Sequence, residues 1–302
     1  MAELRAATDS DVEHRRIEVG PDADGRQVTL HVALAGPADG KPIILLHGFP
    51  EFWWSWRYQI LPLAEAGFRV IAPDMRGYNS SDKPEGASAY RIANLVSDVG
   101  GLVRALGYEK THLVAHDWGG LVAWHVAASR PDVVDRLVIM NAPHPALFQR
   151  ELRSLSQLRK SWYVFAFQVP RVPESRLKKF GTIKATFRGW SHRPEHFDDA
   201  TLARYLEAIQ QPGAATAMVN YYRAGFRAFF SRDAFRGPRL EPVRAKTMVV
   251  WGMDDRALGP ALIEGLEPHV PDLRIERLAE ASHWVAQDAP EKVNALLIEF
   301  LR

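Results

Sequence analysis

Asp117 is the residue of this sequence with the clearest potential for chemistry. It stands inside the run Val114 to Gly120, where a β-branched apolar stretch leads directly into an amphipathic segment, Leu121 to Arg130. Ala115 and Gly119, two positions before and after it, are small, as the crowded backbone of a strand-to-helix turn with an outward reactive side chain requires. A carboxylate is ionised at neutral pH and needs no base to become a nucleophile. The turn therefore predicts a nucleophile elbow suited to alkylation at carbon rather than to ordinary ester or amide hydrolysis.

A base and an orienting acid are required as well, because attack by a carboxylate leaves a covalent ester that water must hydrolyse. His283 lies just beyond the last predicted strand, and Asp255 lies just beyond the strand before it. A histidine taken alone is more often a satisfied structural group, but three reactive side chains at three predicted strand ends favour catalysis. Asp254 competes with Asp255, and its alternative interpretation is a solvated turn carboxylate. We predict that His283 is the base and Asp255 its orienting acid.

The loop His47 to Pro50 is a second candidate for the site, because it directly follows the predicted strand Pro42 to Leu46. An amide from such a loop can pair with the amide that follows the nucleophile and hold an oxyanion. These amides would belong to Phe49 and Trp118, with His47 and Pro50 as further candidates for substrate binding in the same loop. A plain tight turn would explain the tetrapeptide equally well if the elbow were absent.

The elements that must position these residues follow an alternating pattern. Short apolar runs alternate with helical patterns such as Ile92 to Leu106, which indicates a mostly parallel central sheet with helices on both faces. The first two strands are joined by a turn-rich segment typical of a hairpin. A last helix follows Asp288, where Asp288 and Glu291 resemble a capping box. The predicted strands are Arg16 to Val19, Gln27 to Leu34, Pro42 to Leu46, Arg69 to Ala72, Thr111 to Ala115, Arg136 to Met140, Thr247 to Trp251 and Leu273 to Leu278.

The alternation stops in the middle of the chain, where no strand stands out and the sequence is aromatic, basic and helical in pattern. We predict an inserted helical cap over residues 141–237, between a first core part at 1–140 and a second at 238–302. Within it, Arg150 to Arg193 holds eleven Lys or Arg against two acidic residues. Such a surface could attract anions or a membrane, but a solvated basic surface is the interpretation we prefer at this point.

Composition excludes several classes of protein. The 302 residues are 47% hydrophobic, enough for a large core, and the net charge of +2 lacks the basic excess typical of nucleic-acid binding. Cysteine is absent, which rules out disulfides and thiolate chemistry. The charged N-terminus does not resemble a signal peptide, and no apolar run approaches the ~18–20 residues that cross a bilayer. We therefore predict a soluble, cytoplasmic protein.

Four motifs resemble those of epoxide hydrolases of the α/β-hydrolase superfamily, and the similarity extends over nearly the whole chain. The order nucleophile, acid, histidine is also the order that α/β-hydrolases use. The resemblance implies the α/β-hydrolase fold and a two-step hydrolysis, in which Asp117 opens an epoxide and the His283–Asp255 pair activates water against the ester. The motifs are His47 to Trp53, Asp74 to Tyr78, His116 to Gly120 and Ala281 to Trp284.

The same resemblance implies two cap tyrosines that hydrogen-bond the epoxide oxygen. Tyr163 matches the first through its spacing to the Phe-Gln-x-Pro that follows, and Tyr222 matches the second through an Asn-x-Tyr-Arg pattern. A phenol can stabilise or protonate the alkoxide that ring opening releases. Tyr221 is adjacent to Tyr222, and a shift of one residue would exchange them.

Two other classes of function stay open. Haloalkane and haloacid (fluoroacetate) dehalogenases resemble this chain in the aspartate nucleophile, the histidine and the cap, and haloalkane dehalogenases also have a tryptophan at the position of Trp118. Haloalkane dehalogenases typically carry asparagine where Phe49 stands, however, and fluoroacetate dehalogenases carry arginine where Trp118 stands. The two cap tyrosines further favour an epoxide hydrolase. A ligand-binding α/β-hydrolase without activity would be expected to lack part of the catalytic set, and here that set is complete.

The expected ligands are a small apolar epoxide and water, without cofactor or metal. No phosphate-binding loop or dinucleotide fingerprint is present, and His192 and His196 are separated by Pro194 without an accompanying carboxylate pattern. We expect no nucleic-acid partner, and a monomer or a homodimer. Several aromatic residues either line an apolar pocket or pack in the core: Phe49, Trp53, Trp54, Trp118, Trp162 and Phe165.

Overall fold

Eight strands form one mixed sheet in the order β1-β2-β4-β3-β5-β6-β7-β8. A computed structural model describes residues 4–152, 154–229 and 240–302. The pairs β1–β2 and β2–β4 are antiparallel, and every other neighbouring pair is parallel. The strands are β1 (Glu13–Pro21), β2 (Gln27–Ala35), β3 (Lys41–Leu46), β4 (Phe68–Pro73), β5 (Thr111–His116), β6 (Val134–Met140), β7 (Lys246–Gly252) and β8 (Leu273–Leu278).

The predicted strands are confirmed, with ends that differ by zero to three residues. The predicted hairpin is the antiparallel β1–β2 pair. The central strands are apolar because both faces of the sheet are covered: all six residues of β5 are buried, as are the last four of β3. The antiparallel pairing of β2 with β4, which extends the sheet beyond its parallel part, was not predicted.

Helices cover the sheet as an α/β-hydrolase fold requires, with α2 packed on α3 and α1 packed on α12. The helices of the described residues are α1 (Ile60–Glu65), α2 (Ile92–Ala105), α3 (Asp117–Ser129), α4 (Pro145–Glu151), α5 (Leu155–Lys160), α6 (Trp162–Ala166), α7 (Val172–Leu177), α8 (Phe180–Phe187), α9 (Asp199–Gln210), α10 (Ala214–Phe229), α11 (Val285–Asp288) and α12 (Pro290–Leu301). None of these helices combines the length and the apolar composition that crossing a membrane requires.

The described residues between β6 and β7 form helices and turns and no strand, and we call them the helical segment (141–152, 154–229 and 240–245). This observation agrees with the predicted insertion of a cap. The division of the chain into 1–140, 141–237 and 238–302 stays a prediction, and its second boundary lies outside the described residues.

The predicted capping box at the last helix is wrong. The helix begins at Pro290 after Ala289, which has no side chain able to cap it. Asp288 ends α11, and its carboxylate accepts hydrogen bonds from the amide and hydroxyl of Ser282 instead. The predicted apolar face is confirmed, because Val293, Leu296, Leu297 and Phe300 are all buried.

Candidate active site

The predicted site residues other than the two tyrosines lie at the carboxyl ends of neighbouring parallel strands, where open α/β sheets place their ligands. Asp117 follows β5 directly, and the loop that begins at His47 follows β3. Asn141 follows β6, Asp255 lies three residues after β7, and His283 lies five residues after β8. Strands that are far apart in sequence therefore bring the candidate residues to one edge.

The elbow at Asp117 has the strained backbone and the close packing that the sequence predicts. Asp117 adopts a positive φ of 47°, in the left-handed region that residues other than glycine seldom occupy. A Cβ on Gly119 would lie 2.4 Å from the carbonyl oxygen of Leu46, and a Cβ on Gly48 would lie 2.6 Å from the Cβ of Asp117. Larger residues at 48 and 119 would force the two loops apart, so these positions require glycine.

His283 lies between two carboxylates. Its Nδ1 is 2.7 Å from Oδ2 of Asp255, and its Nε2 is 3.7 Å from Oδ2 of Asp117. The short contact places the ring proton on Nδ1, toward Asp255, and turns Nε2 toward Asp117. The imidazole is thus in position to act on a molecule bound beside Asp117.

Asp255 is held by more than its histidine partner. Its Oδ1 accepts hydrogen bonds from the amides of Ala257 (2.7 Å) and Leu258 (2.9 Å), while Asn141 donates to Oδ2 from 2.8 Å. Burial by itself would raise the pKa of this carboxyl, but the charge and hydrogen bond of His283, followed by those of Asn141 and Leu258, outweigh it and leave the pKa below its usual value. Asp255 therefore carries a stable negative charge.

The charge of Asp255 controls the protonation of His283. Burial by itself would lower the pKa of His283, but the charge and hydrogen bond of Asp255, with a further contribution from the charge of Asp117, raise it to about 9. With both carboxylates ionised, the imidazole is predominantly a cation at neutral pH.

The loop after β3 provides the predicted amide donor. The backbone N–H of Phe49 donates to Oδ1 of Asp117 over 2.8 Å. Trp118 occupies the first turn of α3, where backbone N–H groups have no partner within the helix. The Phe49 amide thus lies at the carboxyl group of Asp117, and the role of the Trp118 amide stays a prediction.

His47 and Pro50 belong to the framework of this loop. Both are buried, and the Phe49–Pro50 peptide is cis. The His47 ring donates from Nδ1 to the Gly48 carbonyl and accepts at Nε2 from the Met75 amide, 2.9 Å in each case. Burial lowers the pKa of His47, which favours the neutral ring that these two contacts need. Direct contact of His47 or Pro50 with substrate stays a prediction.

Tyr163 and Tyr222 come together above the elbow although 59 positions separate them in the sequence. Their ring centroids are 5.8 Å apart, and the Tyr222 ring packs edge-on against Phe49 and Trp118, each at 5.0 Å. Burial raises the pKa of both hydroxyls, and the charge of Asp117 raises each further. Both phenols are therefore protonated donors near the nucleophile.

Tyr221 and Asp254, the alternatives to Tyr222 and Asp255, have other partners. The hydroxyl of Tyr221 donates to the carbonyl oxygen of Arg76 over 2.6 Å, and its side chain is fully buried. Asp254 is exposed, and its Oδ2 lies 3.0 Å from Nε2 of His192. These contacts favour Tyr222 and Asp255 in the site.

Three polar residues that sequence reasoning missed support these groups. Asn141, with a positive φ of 39°, donates to Asp255 and also exchanges hydrogen bonds with the backbone of Gly252. The buried carboxylate of Glu51 contacts Nδ1 of His116 at 2.9 Å and accepts from the Gly48 amide. His116 in turn contacts the carbonyl oxygen of His283 at 2.8 Å. In the sequence, Glu51 and His116 could be noticed only because they belong to two of the motifs, and Asn141 only because it directly follows a predicted strand.

The aromatic candidates for a pocket divide into three groups. Phe49 and Trp118 lie beside Asp117 and Tyr222. Trp53 and Trp54 are buried in packing contacts away from the elbow, with Trp54 donating to the Ala7 carbonyl. Trp162 and Phe165 are 63% and 50% exposed. Within the described residues, no group of three or more His, Cys, Asp or Glu could hold a metal ion.

Comparison with known proteins gives a consistent result. The model of the alpha/beta hydrolase fold family matches residues 41–290. The chain is 44% identical to the AB hydrolase superfamily protein YfhM of Bacillus subtilis (strain 168), over 91% of this chain and 95% of that protein. It is 37% identical to Epoxide hydrolase 2 of Caenorhabditis elegans, over 91% and 78%. The crystal structure of Bacillus megaterium epoxide hydrolase in complex with an inhibitor matches with a TM-score of 0.80 and 31% identity, over 96% of this chain and 99% of that one.

Proposed function

The chain belongs to the epoxide hydrolases of the α/β-hydrolase fold family, and we propose that it converts an apolar epoxide to a vicinal diol through a covalent ester on Asp117. The observation that carries the scheme is the position of His283 between Asp255 at 2.7 Å and Asp117 at 3.7 Å. A nucleophile, a base and an acid in this arrangement can perform both halves of the reaction.

In the first step, the carboxylate of Asp117 attacks a ring carbon of the epoxide. Because Oδ1 is held by the Phe49 amide, Oδ2 is the attacking atom. The carbon–oxygen bond of the ring breaks, and its electron pair moves to the epoxide oxygen, which takes a proton from Tyr163 or Tyr222. Protonated phenols are suited to this step because they donate where negative charge develops.

In the second step, Nε2 of His283 takes a proton from water while the hydroxide adds to the ester carbon of Asp117. The oxyanion forms on Oδ1, where the Phe49 amide already donates, and the amide of Trp118 supplies the second donor. Collapse breaks the bond to the alkyl oxygen, which takes the proton from His283 and leaves in the diol. The proton of the new carboxylic acid returns to the tyrosinate, so the sum is epoxide plus water.

Formation of the ester also prepares the base. Asp117 is one of the charges that raise the pKa of His283 to about 9 in the free enzyme. The ester is neutral, so this contribution disappears and the pKa of His283 falls. The imidazole is therefore a better proton acceptor in the intermediate, which is the state that needs a base.

Trapping the intermediate tests the scheme. Asp117→Ala should lower diol formation at least about 10³-fold without any adduct, because no nucleophile remains. His283→Gln should form up to one ester per chain and then stop, which mass spectrometry of the peptide containing Asp117 detects. His192→Gln is the matched surface control and should turn over normally.

A substrate panel separates this function from the two alternatives. Styrene oxide and an aliphatic epoxide should give diols, and fluoroacetate and a chloroalkane should give no halide. Halide release without diol would identify a dehalogenase, and no reaction on any of the four would favour a binding protein. A cytoplasmic location and a monomeric or homodimeric state also remain predictions, which cell fractionation and sedimentation velocity would test.

A further inference from the structure

An apolar stripe on the outside of the helical segment is unusual for a surface in water. Large apolar side chains recur every three or four residues along α5, α6 and the start of α7, and all are between 42% and 74% exposed. Isolated exposed apolar residues are normal, whereas a clustered series marks an interaction site. The apolar stripe consists of Leu155, Leu158, Trp162, Phe165, Val169 and Val172.

The outward direction of the first part of the stripe is fixed by polar contacts on the inner side of α5. Gln157 is buried and donates to the Ala257 carbonyl over 2.9 Å, while its Oε1 accepts from the Gly259 amide at 3.2 Å. Lys160 donates to the carbonyl oxygen of Asp255 over 2.9 Å. A surface helix normally turns its apolar face to the core and its polar face to water. In α5 these hydrogen-bonded polar side chains are inside and Leu155 and Leu158 are outside, and the hydrogen bonds maintain that orientation. Next to α5, the rings of Tyr163 and Phe167 pack inward against Tyr222, and Trp162 and Phe165 remain exposed.

Positive charge surrounds the stripe. None of the following exposed basic residues forms an ion pair with a described residue: Arg159, Arg171, Arg176, Lys178 and Lys179. The two acidic residues of the region are already paired, Glu151 with Arg150 and Glu174 with Arg223. The surface therefore has excess positive charge that would be attracted to an anionic partner.

The combination of exposed apolar side chains with unpaired basic ones selects the partner. A second copy docked through the same face would bring two positive surfaces together, which opposes association. A bilayer with anionic headgroups accepts both components, since its acyl boundary buries apolar side chains and its headgroups attract Lys and Arg. Tryptophan, as at 162, is enriched at this interface.

We propose that the apolar stripe and its basic surroundings form a docking face for an anionic phospholipid surface. The docked protein lies on the membrane without crossing it, with α5 and α6 against the headgroups. This inference is independent of the chemistry at Asp117, because it rests on the outer surface of the helical segment. Docking would place the enzyme beside the bilayer, where apolar molecules concentrate.

Flotation of the full chain with lipid vesicles tests the proposal. We expect the protein to float with vesicles that mix phosphatidylcholine and phosphatidylserine, to float much less with phosphatidylcholine alone, and to be released by salt. Leu155→Gln/Val172→Gln and Arg176→Glu/Lys179→Glu should each weaken binding to the anionic vesicles at least about tenfold. Both pairs are exposed and outside the proposed catalytic set, so diol formation from a soluble epoxide should be retained and would show that the variants fold.

A matched control reverses two charges at the opposite end of the sheet. Lys110→Glu/Arg244→Glu changes the net charge by the same amount, and both residues are exposed and precede the amino ends of β5 and β7. This control should bind vesicles within about twofold of the parent, since charges beyond a Debye length of the surface contribute little. Equal loss in the control, absence of anionic preference, or self-association that Leu155→Gln/Val172→Gln abolishes would each overturn the proposal.

Discussion

The sheet edge and the helical segment hold their parts of the site by different kinds of contact. At the sheet edge, Asp255 accepts four hydrogen bonds of 2.9 Å or less, including the one from His283. In the helical segment, Tyr222 is surrounded by rings, with Phe49, Trp118 and Phe167 within 5.0 Å between centroids. Directional hydrogen bonds fix the angle of a side chain, whereas ring packing mainly fixes its location; the Tyr222 hydroxyl has a hydrogen bond with the Trp118 side chain, which can only donate, so the phenol can still donate its own proton. In the proposed reaction, the sheet edge therefore sets the geometry of water attack, and the helical segment stabilises the epoxide oxygen that leaves the ring carbon.

Among changes at the sheet edge, replacement of the orienting acid Asp255 should have the largest effect on the rate. Asp255→Asn removes the charge that holds and polarises His283, so we expect ester hydrolysis to slow by about 10³-fold or more. Asp254→Asn is the matched control, because this neighbour is exposed and its carboxylate contacts the surface His192. Single-turnover kinetics should show a near-normal rate for the control. If both variants lost the same fraction of the hydrolysis rate, the assignment of Asp255 rather than Asp254 as the acid would be contradicted.

Replacement of the tyrosines should have a smaller effect on the rate, and it should slow a different step of the reaction. Tyr163→Phe or Tyr222→Phe should slow epoxide opening by about tenfold to a hundredfold. If both phenols serve one oxygen, the double change should be far worse than either single change. Rapid-quench measurement of ester formation reports this step separately from hydrolysis.

Tyr221→Phe is the neighbouring control for these variants. Its hydroxyl binds the Arg76 carbonyl, so the change should reduce the free energy of unfolding by about 1 kcal/mol and leave epoxide opening nearly unchanged. A slower opening in Tyr221→Phe than in Tyr222→Phe would exchange the two assignments.

The pH dependence of ester hydrolysis should give the finest distinction between the sheet edge and the helical segment. A protonated imidazole cannot accept a proton, so below the pKa of His283 the rate of ester hydrolysis should rise about tenfold per pH unit. In the ester the charge of Asp117 is gone, so the rate should level off at a pH below the value of about 9 that applies to the free enzyme. Stopped-flow profiles and imidazole NMR of the free enzyme and of Asp117→Ala would measure both values. A rate that falls between pH 6 and 8 would contradict base catalysis by His283.

Local patterns in the sequence were sufficient for the strands and the elbow, because these depend on neighbours in the chain. The crowding at Gly119 follows from a sharp turn alone, and the apolar runs mark strands that are buried on both faces. The carboxyl ends of parallel strands then had to meet at one edge. Tyr163 and Tyr222 came from the family's motifs, because no general rule of helix or strand pattern identifies them.

Contacts between distant segments could not be derived in the same way. Asn141 was regarded only as the start of the cap, yet it supports Asp255, which is 114 residues later. The pairing of Glu51 with His116 spans 65 residues and has no periodic signal. The helical spacing of Trp162 and Phe165 was visible, but spacing does not tell which side of a helix faces the core. That direction depends on inward contacts such as those of the Tyr163 and Phe167 rings with Tyr222.

Asp288, whose expected role as a helix cap was wrong, connects the two regions physically. While one oxygen binds Ser282, the residue before His283, the other accepts from the Ser191 hydroxyl and from the amides of His192 and Arg193 in the helical segment. The side chain of Asp288 thereby joins the helical segment to the loop that carries the imidazole of His283. Displacement of the helical segment at Ser191 would therefore break these bonds or move the His283 loop with it, so the position of the imidazole is mechanically coupled to that of the helical segment.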